Sequence, residues 1–147
     1  MKYKLTTLFV VLLFSSVLTV TAQTNISDKI IGNWISPEKD LIVQCYKQNN
    51  KYYGKIIWFK EYFDNTPDNP EALPENQWKS TVVMKDFVYQ DNEWCNGKIF
   101  QLKTCKTYDA YIKLQSENSL QVTGFIFFRF LSETIIFSRY IEAKLPS

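Results

Sequence analysis

The sequence predicts an all-β fold, an eight-stranded up-and-down antiparallel barrel. Short strand-like runs separated by turn residues follow one another from Trp34 onward, which favours a meander over a βαβ pattern. The 11 Phe, 9 Tyr and 4 Trp, against only four Gly, suit half-buried strands. Mostly short connections force sequential neighbours to pair, and eight such strands can close around side chains or one small ligand.

The first 22 residues have the layout of a secretory signal peptide. Lys2 and Lys4 precede an uncharged, largely apolar run from Leu5 to Val20, and small residues follow up to Ala22. The run is shorter than a membrane-spanning helix usually needs. We therefore expect a cleaved signal over residues 1–22, a single domain over residues 23–147 without a transmembrane span, and export to the periplasm or the extracellular space.

The predicted mature chain carries almost no net charge. Removal of Lys2 and Lys4 from the 17 basic residues leaves 15, equal to the 15 acidic residues. A neutral chain has no general electrostatic attraction to nucleic acid or to an anionic membrane. We therefore expect neither as a partner.

The first elements are a short strand around Trp34 and a hairpin over residues 41–60. Asn49 and Asn50 form its two-residue turn. Reflection about this turn places three pairs on an apolar face: Cys45–Gly54, Val43–Ile56 and Leu41–Trp58. Two further pairs fall on the opposite face: Gln44–Lys55 and Tyr46–Tyr53. One solvated face and one buried face are typical of an antiparallel sheet.

Five further strands are predicted after the hairpin. They span residues 81–90, 94–101, 107–115, 119–130 and 133–142, with turns at 91–92, 102–105, 117–118 and 131–132. The segment 62–78 contains three prolines and is too polar for a strand. It either covers a barrel mouth or forms a solvated surface connection, because long loops are usually functional or disordered.

The three cysteines allow one disulfide and one free thiol in an oxidising compartment. Cys95 and Cys105 are nearest in sequence, but the predicted turn at 102–105 places Cys95 opposite the neighbourhood of Ile112, too far for a bridge. A Cys95–Cys105 disulfide and free thiols both remain open, and Cys45 suits a buried apolar position.

The composition excludes several kinds of catalytic site. Because there is no histidine, Ser-His-Asp triads, Cys-His pairs and His-ligated zinc are impossible. No Cys-x-x-C spacing occurs, and we expect neither a metal nor a cofactor. The only local carboxylate clusters are Asp64, Asp68, Glu71 and Glu75 in the segment 62–78, and Asp91 with Glu93. Such loop carboxylates are usually solvated, so we expect no enzyme, and a carboxylate-based enzyme ranks third among the functions considered.

An apolar face shared with Arg139 carries the candidate ligand-binding residues. These are Val43, Ile56, Trp58, Ile112, Ile126, Phe128 and Phe137, accompanied by Leu114, Val122 and Ile135. They either fill a packed core or leave a gap for a small apolar ligand, the function ranked first. The alternative is an interaction module that engages an envelope protein through the segment 62–78 or an outer patch of Tyr53, Ile57, Phe59, Phe125 and Phe127.

The first and last strands resemble those of lipocalin-like barrels. Gly32-Asn33-Trp34 opens the first strand, and Arg139 stands in the last. In that superfamily a Trp of the first strand closes the barrel floor beneath an Arg from the end of the chain. The resemblance implies that Gly32, Trp34 and Arg139 form such a floor, where a guanidinium stacks on the indole.

The chain is also similar to a bacterial exported family catalogued as domain of unknown function 2147, from Ile31 to Glu142. The matching pieces are GNWIS, YYGKIIWF, DNP at 68–70, W-x-x-GKI from 94, K-T-Y at 106–108, L-x-V-x-G-F from 120, and FSR at 137–139. Leu102 and Cys105 stand where the family has Pro and Gly, and Phe137 where Trp is usual. The resemblance implies a lipocalin-like barrel and brings no catalytic residues.

Overall fold

The structure is a computed structural model that describes residues 25–60, 78–102, 105–126 and 131–141. The predicted signal peptide and nearly all of the segment 62–78 lie outside the described residues, as do Phe127 and Phe128. Within those ranges, no helix is long and apolar enough to cross a membrane.

The described chain forms a closed antiparallel barrel. A 3₁₀ helix at Ile26–Ile30 precedes eight strands: β1 (Gly32–Ile35), β2 (Leu41–Gln48), β3 (Lys51–Phe59), β4 (Val82–Gln90), β5 (Glu93–Gln101), β6 (Lys106–Ser116), β7 (Ser119–Phe125) and β8 (Ser132–Arg139). Each strand pairs with the next, and β1 pairs with β8. The predicted fold class is confirmed.

The β2–β3 hairpin has the predicted turn but a different register near its open ends. Asn49 and Asn50 adopt φ of 50° and 60°, as a type I′ turn requires. Four of the five predicted pairs are present, whereas the Leu41–Trp58 pair is wrong. A β-bulge leaves Ile57 unpaired, so Leu41 lies opposite Phe59. Bulges increase local twist, which helps a sheet to close, and alternation alone does not reveal them.

The predicted β7–β8 turn at residues 131–132 is also wrong. Phe125 pairs with Ser132 and Leu120 with Phe137, so β7 ends five residues earlier than expected. Residues 126–131 connect the strands. Because residues 125–131 contain no Gly, Pro, Asn, Asp or Ser, the sequence offers no local signal for this connection.

The β5–β6 connection agrees with the predicted turn. Gln101 pairs with Lys106, and Trp94 pairs with Ile112. Cys95 therefore lies near Ile112, the position that the turn at 102–105 predicted. Cys45, Cys95 and Cys105 are all free thiols.

The two ends of the barrel differ. We call the end that carries the 3₁₀ helix and the turns at 49–50, 91–92 and 117–118 the floor end, and the opposite end the open end. The largest fully buried side chains include Trp34, Trp94 and Phe87. Trp34 and Trp94 come from strand positions close to the floor end, so the two buried tryptophans fill the core at that end.

Candidate functional site

Trp34 and Arg139 meet at the floor end. The indole of Trp34 is fully buried and donates from Nε1 to the Ile30 carbonyl at 2.8 Å. The guanidinium carbon of Arg139 lies 4.1 Å from the Trp34 ring centroid. Its nitrogens also donate to three backbone carbonyls, those of Lys29 and Glu117 at 2.7 Å and that of Ile31 at 3.3 Å. One side chain thus ties together the 3₁₀ helix, the β6–β7 turn and β1.

Gly32 makes room for this arrangement. Its φ is +134°, a conformation that L side chains rarely adopt, and a Cβ placed there would lie 2.9 Å from Nη1 of Arg139. Glycine at this position therefore permits both the backbone turn into β1 and the close approach of the guanidinium.

The 3₁₀ helix is fastened to the barrel at two further points. Trp94 Nε1 donates to the Ser27 carbonyl at 3.1 Å. Asp28 accepts from the Tyr52 hydroxyl at 2.7 Å and from Lys47 Nζ at 2.9 Å. The hydrogen bond from Lys47, followed by that from Tyr52, lowers the pKa of the Asp28 carboxyl. These contacts close the floor end.

The lower barrel is filled with side chains. A Cβ at Gly97 would overlap the Phe87 ring, and a Cβ at Gly54 would lie 2.8 Å from the Met84 sulfur. Burial raises the pKa of the Cys45 thiol to about 12, so this thiol is held in its neutral, unreactive form. Around Phe87 and Met84 the described interior is packed core.

The seven candidate ligand-binding residues do not lie together. Val43, Ile56, Ile112 and Phe137 are buried within the core cluster. Trp58 is half-buried and lies opposite Ile42 across the bulge, and Phe59 packs against the core in its stead. Ile126 lies just beyond the end of β7, where it is 51 % exposed. Phe128 lies outside the described residues.

Apolar side chains at the open end are only partly covered. Five of them form a half-buried ring around the open end and pack against the core: Leu41, Phe59, Ile99, Phe100 and Leu102. Ile126 and Ile135 are more exposed, at 51 % and 45 %. Ile135 pairs with the buried Val122, so its side chain belongs to the inner face. Sequence analysis placed Leu41 on the apolar face but did not group these five residues, because alternation gives the face of a residue and not its level along the barrel.

A cleft of about 410 Å³ lies where the first residues of β6 meet the last residues of β7. Its lining combines charged, polar and apolar side chains: Lys106, Thr107, Tyr108, Asp109, Phe125 and Ile126. The cleft is broad and open to solvent. Of the open-end residues named above, its lining includes Ile126.

The model of a family described as an uncharacterized protein conserved in bacteria, DUF2147, matches residues 32–139, well over half of the chain. The chain belongs to the DUF2147 family. Its matched segment runs from Gly32 to Arg139, the two residues in contact at the floor.

A solved structure is also similar to this DUF2147 chain. It is protein HP1028 from the human pathogen Helicobacter pylori, which belongs to the lipocalin family. The two share 18 % sequence identity with a TM-score of 0.59, over 77 % of this chain and 84 % of that one. This likeness shows a lipocalin-like fold. No curated protein matches the chain.

The structure of the DUF2147 chain describes two of the carboxylates that the sequence singled out, Asp91 and Glu93. Asp91 lies in the β4–β5 turn, and Glu93 contacts Lys113 at 3.4 Å. Within the described ranges, no three Asp, Glu or Cys side chains are grouped so as to hold a metal ion. Asp64, Asp68, Glu71 and Glu75 lie outside the described residues.

The predicted outer aromatic patch is divided by the structure. Phe59 packs against the core instead of facing solvent, because the bulge in β3 reverses its side, so its assignment to the patch is wrong. Tyr53 stacks on Tyr46 with ring centroids 5.7 Å apart. Phe125 lies 6.3 Å from the Tyr111 ring. These half-buried rings form two separate pairs.

Proposed function

We propose that this protein binds a small apolar ligand, such as an acyl chain, at the open end of its barrel without catalysing a reaction. The observation that carries the proposal is the contrast between the two ends. The floor end is closed by Trp34, Arg139 and the 3₁₀ helix, whereas Ile126, just beyond the end of β7 at the open end, is 51 % exposed, and the inner-face Ile135 in the middle of β8 is 45 % exposed. Exposed apolar surface at a barrel mouth is a common feature of ligand sites.

The ligand would rest on the half-buried ring of the open end. Ile99 and Phe59 already contact the core below them, so a bound chain would extend the same apolar packing upward. Burial of apolar surface contributes roughly 25 cal/mol per Å², which is sufficient for binding without any charged anchor. A lipocalin-like fold is compatible with this use.

The experiment is titration of the purified protein with a fluorescent apolar probe, supported by native mass spectrometry of protein taken from its own host. Ile126→Glu places a charge at the open end and should weaken probe binding about tenfold or more, the equivalent of roughly 1.4 kcal/mol. Ile26→Glu is the matched control. Ile26 is 59 % exposed at the floor end, and its substitution should leave binding unchanged.

Two results would reject the proposal. One is an absence of both probe binding and a copurifying small molecule. The other is an equal loss of binding in Ile126→Glu and Ile26→Glu, since that would indicate nonspecific adsorption. An interaction module ranks second, because the outer aromatic rings are already engaged with one another.

We further propose that the protein acts in the cell envelope after export. The support is the signal-like pattern of residues 1–22. Fractionation of the native host, with immunodetection of the processed and unprocessed forms, tests this. Accumulation of an unprocessed chain in the cytoplasm would reject it, independently of the outcome for ligand binding.

A further inference from the structure

Strand β8 has one edge that is only partly paired. It pairs with β7 from Ser132 to Ser138, but with β1 only at Ser138 and Arg139. β1 ends at Ile35, and the chain then turns toward β2 through Ser36. Among the described residues, the edge of β8 from residue 132 to 137 therefore has no neighbouring strand.

Most side chains along this edge are exposed to solvent. Residues 132–136 are all exposed, including Ile135 at 45 % and Ile136 at 37 %. An unpaired strand edge is a template for another strand, and proteins usually blunt it with lysine, proline or a bulge. Here the segment contains neither lysine nor proline, its register with β7 shows no bulge, and Glu133 is its single charge.

We propose that a second copy of this chain occupies the edge through antiparallel β8–β8 pairing. A two-fold axis at Ile135 would set three kinds of pair across the new boundary: Ile135 with Ile135, Thr134 with Ile136, and Glu133 with Phe137. β-branched residues directly opposite one another stabilise antiparallel strands, and no like charges face each other. The interface is isologous, as in most homodimers.

The limits of β1 fit this symmetric pairing. The five residues 133–137 are centred on Ile135, and β1 occupies the edge only from Ser138 onward. Each copy can therefore keep its own β1 in place while the free stretches pair. Five residue pairs bury less area than the roughly 1,200 Å² of a standard stable interface, so the dimer should be weak and reversible.

The first experiment is sedimentation velocity of the purified protein from about 1 µM to about 1 mM, which brackets weak association. We expect the average mass to rise toward that of a dimer. Ile136→Lys places a charge on the edge and should hold the protein monomeric. Val88→Lys is the matched control, because Val88 is 36 % exposed on β4, a strand paired on both sides, and this variant should dimerise normally.

The second experiment does not depend on the behaviour of Ile136→Lys. In a Cys105→Ser background, Ile135→Cys should form an intermolecular disulfide under mild oxidation, because the axis brings the two copies of this position together. Lys113→Cys, on the paired strand β6, should not. A monomer at every concentration, equal loss of dimer in Val88→Lys, or no crosslink at position 135 would each overturn the proposal. Probe binding uses other variants, so the two proposals can fail separately.

Discussion

The guanidinium of Arg139, in the last strand, stacks on the ring of Trp34, in the first, at 4.1 Å. This contact joins the two strands that complete the barrel, at the residues that also pair in the β1–β8 register. Cation–π stacking strengthens when the ring is buried, as it is here. The stability of the barrel should therefore depend strongly on both side chains.

Trp34→Ala should lower the free energy of unfolding by about 3–5 kcal/mol, because it removes a fully buried indole. Arg139→Ala should cost less, and the double variant should lose less than the sum of the two, because the residues are in contact. Urea unfolding measures all three. Trp58→Ala is the control, since the half-buried Trp58 should cost less than Trp34. A Trp34→Ala protein of unchanged stability would contradict the structural importance of this contact.

Gly97→Ala should destabilise the protein by about 1–3 kcal/mol, because the new methyl group would overlap the Phe87 ring in a filled core. Gly124→Ala provides a comparison. Its Cβ would meet Cδ1 of Ile99 at 2.7 Å, the end of a flexible side chain near the open end, and the cost should be smaller. Thermal unfolding distinguishes the two variants. Addition of Phe87→Leu should restore part of the loss in Gly97→Ala but not in Gly124→Ala.

Two kinds of sequence signal were sufficient for most of the fold. The Asn49–Asn50 turn and the alternation around it correctly set the register of β2 with β3 up to Val43. Alternation cannot locate a bulge, because the extra residue shifts the cross-strand pairing without any residue type that marks its position. In β7 the apolar run continues past the strand end, and the register is instead consistent with barrel closure, where Arg139 must reach Trp34.

The candidate site was less accessible from sequence. Ile112 and Ile135 are both inner-face isoleucines in alternating strands, yet Ile112 is buried and Ile135 is 45 % exposed. Ile112 lies on β6 between β5 and β7, whereas Ile135 lies on the part of β8 that β1 leaves uncovered, and this coverage depends on strand length and stagger. A single sequence does not determine these quantities.

Asp28 should make stability depend on pH in the acid range. Its pKa is lowered from 3.8 in the folded protein, so its contribution is present above 3.8 and is lost as pH falls through the folded pKa. We expect Asp28→Asn to flatten the acid decline in unfolding free energy between about pH 2 and 5. Lys47→Met should have a similar effect, because Lys47 supplies the main hydrogen bond. An unchanged decline in both variants would contradict this assignment.

Cys105 occupies a backbone position that favours glycine. Its φ is +53°, in the left-handed region, just before β6. Glycine adopts this conformation without the steric penalty that a Cβ introduces. Cys105→Gly should raise the free energy of unfolding by about 0.5–1 kcal/mol, because it relieves the unfavourable contact of Cβ with the backbone.

Cys105→Ala is the matched variant for this prediction. It removes the thiol, including its weak 3.7 Å contact with the Leu102 carbonyl, but keeps Cβ. If backbone strain is the cause, alanine should give no gain while glycine does, and urea unfolding of both proteins at one pH makes the comparison. Equal stabilisation by alanine and glycine would instead attribute the effect to loss of the sulfur. Because φ is fixed by the short β5–β6 connection, the strain should persist in any variant that retains a side chain here.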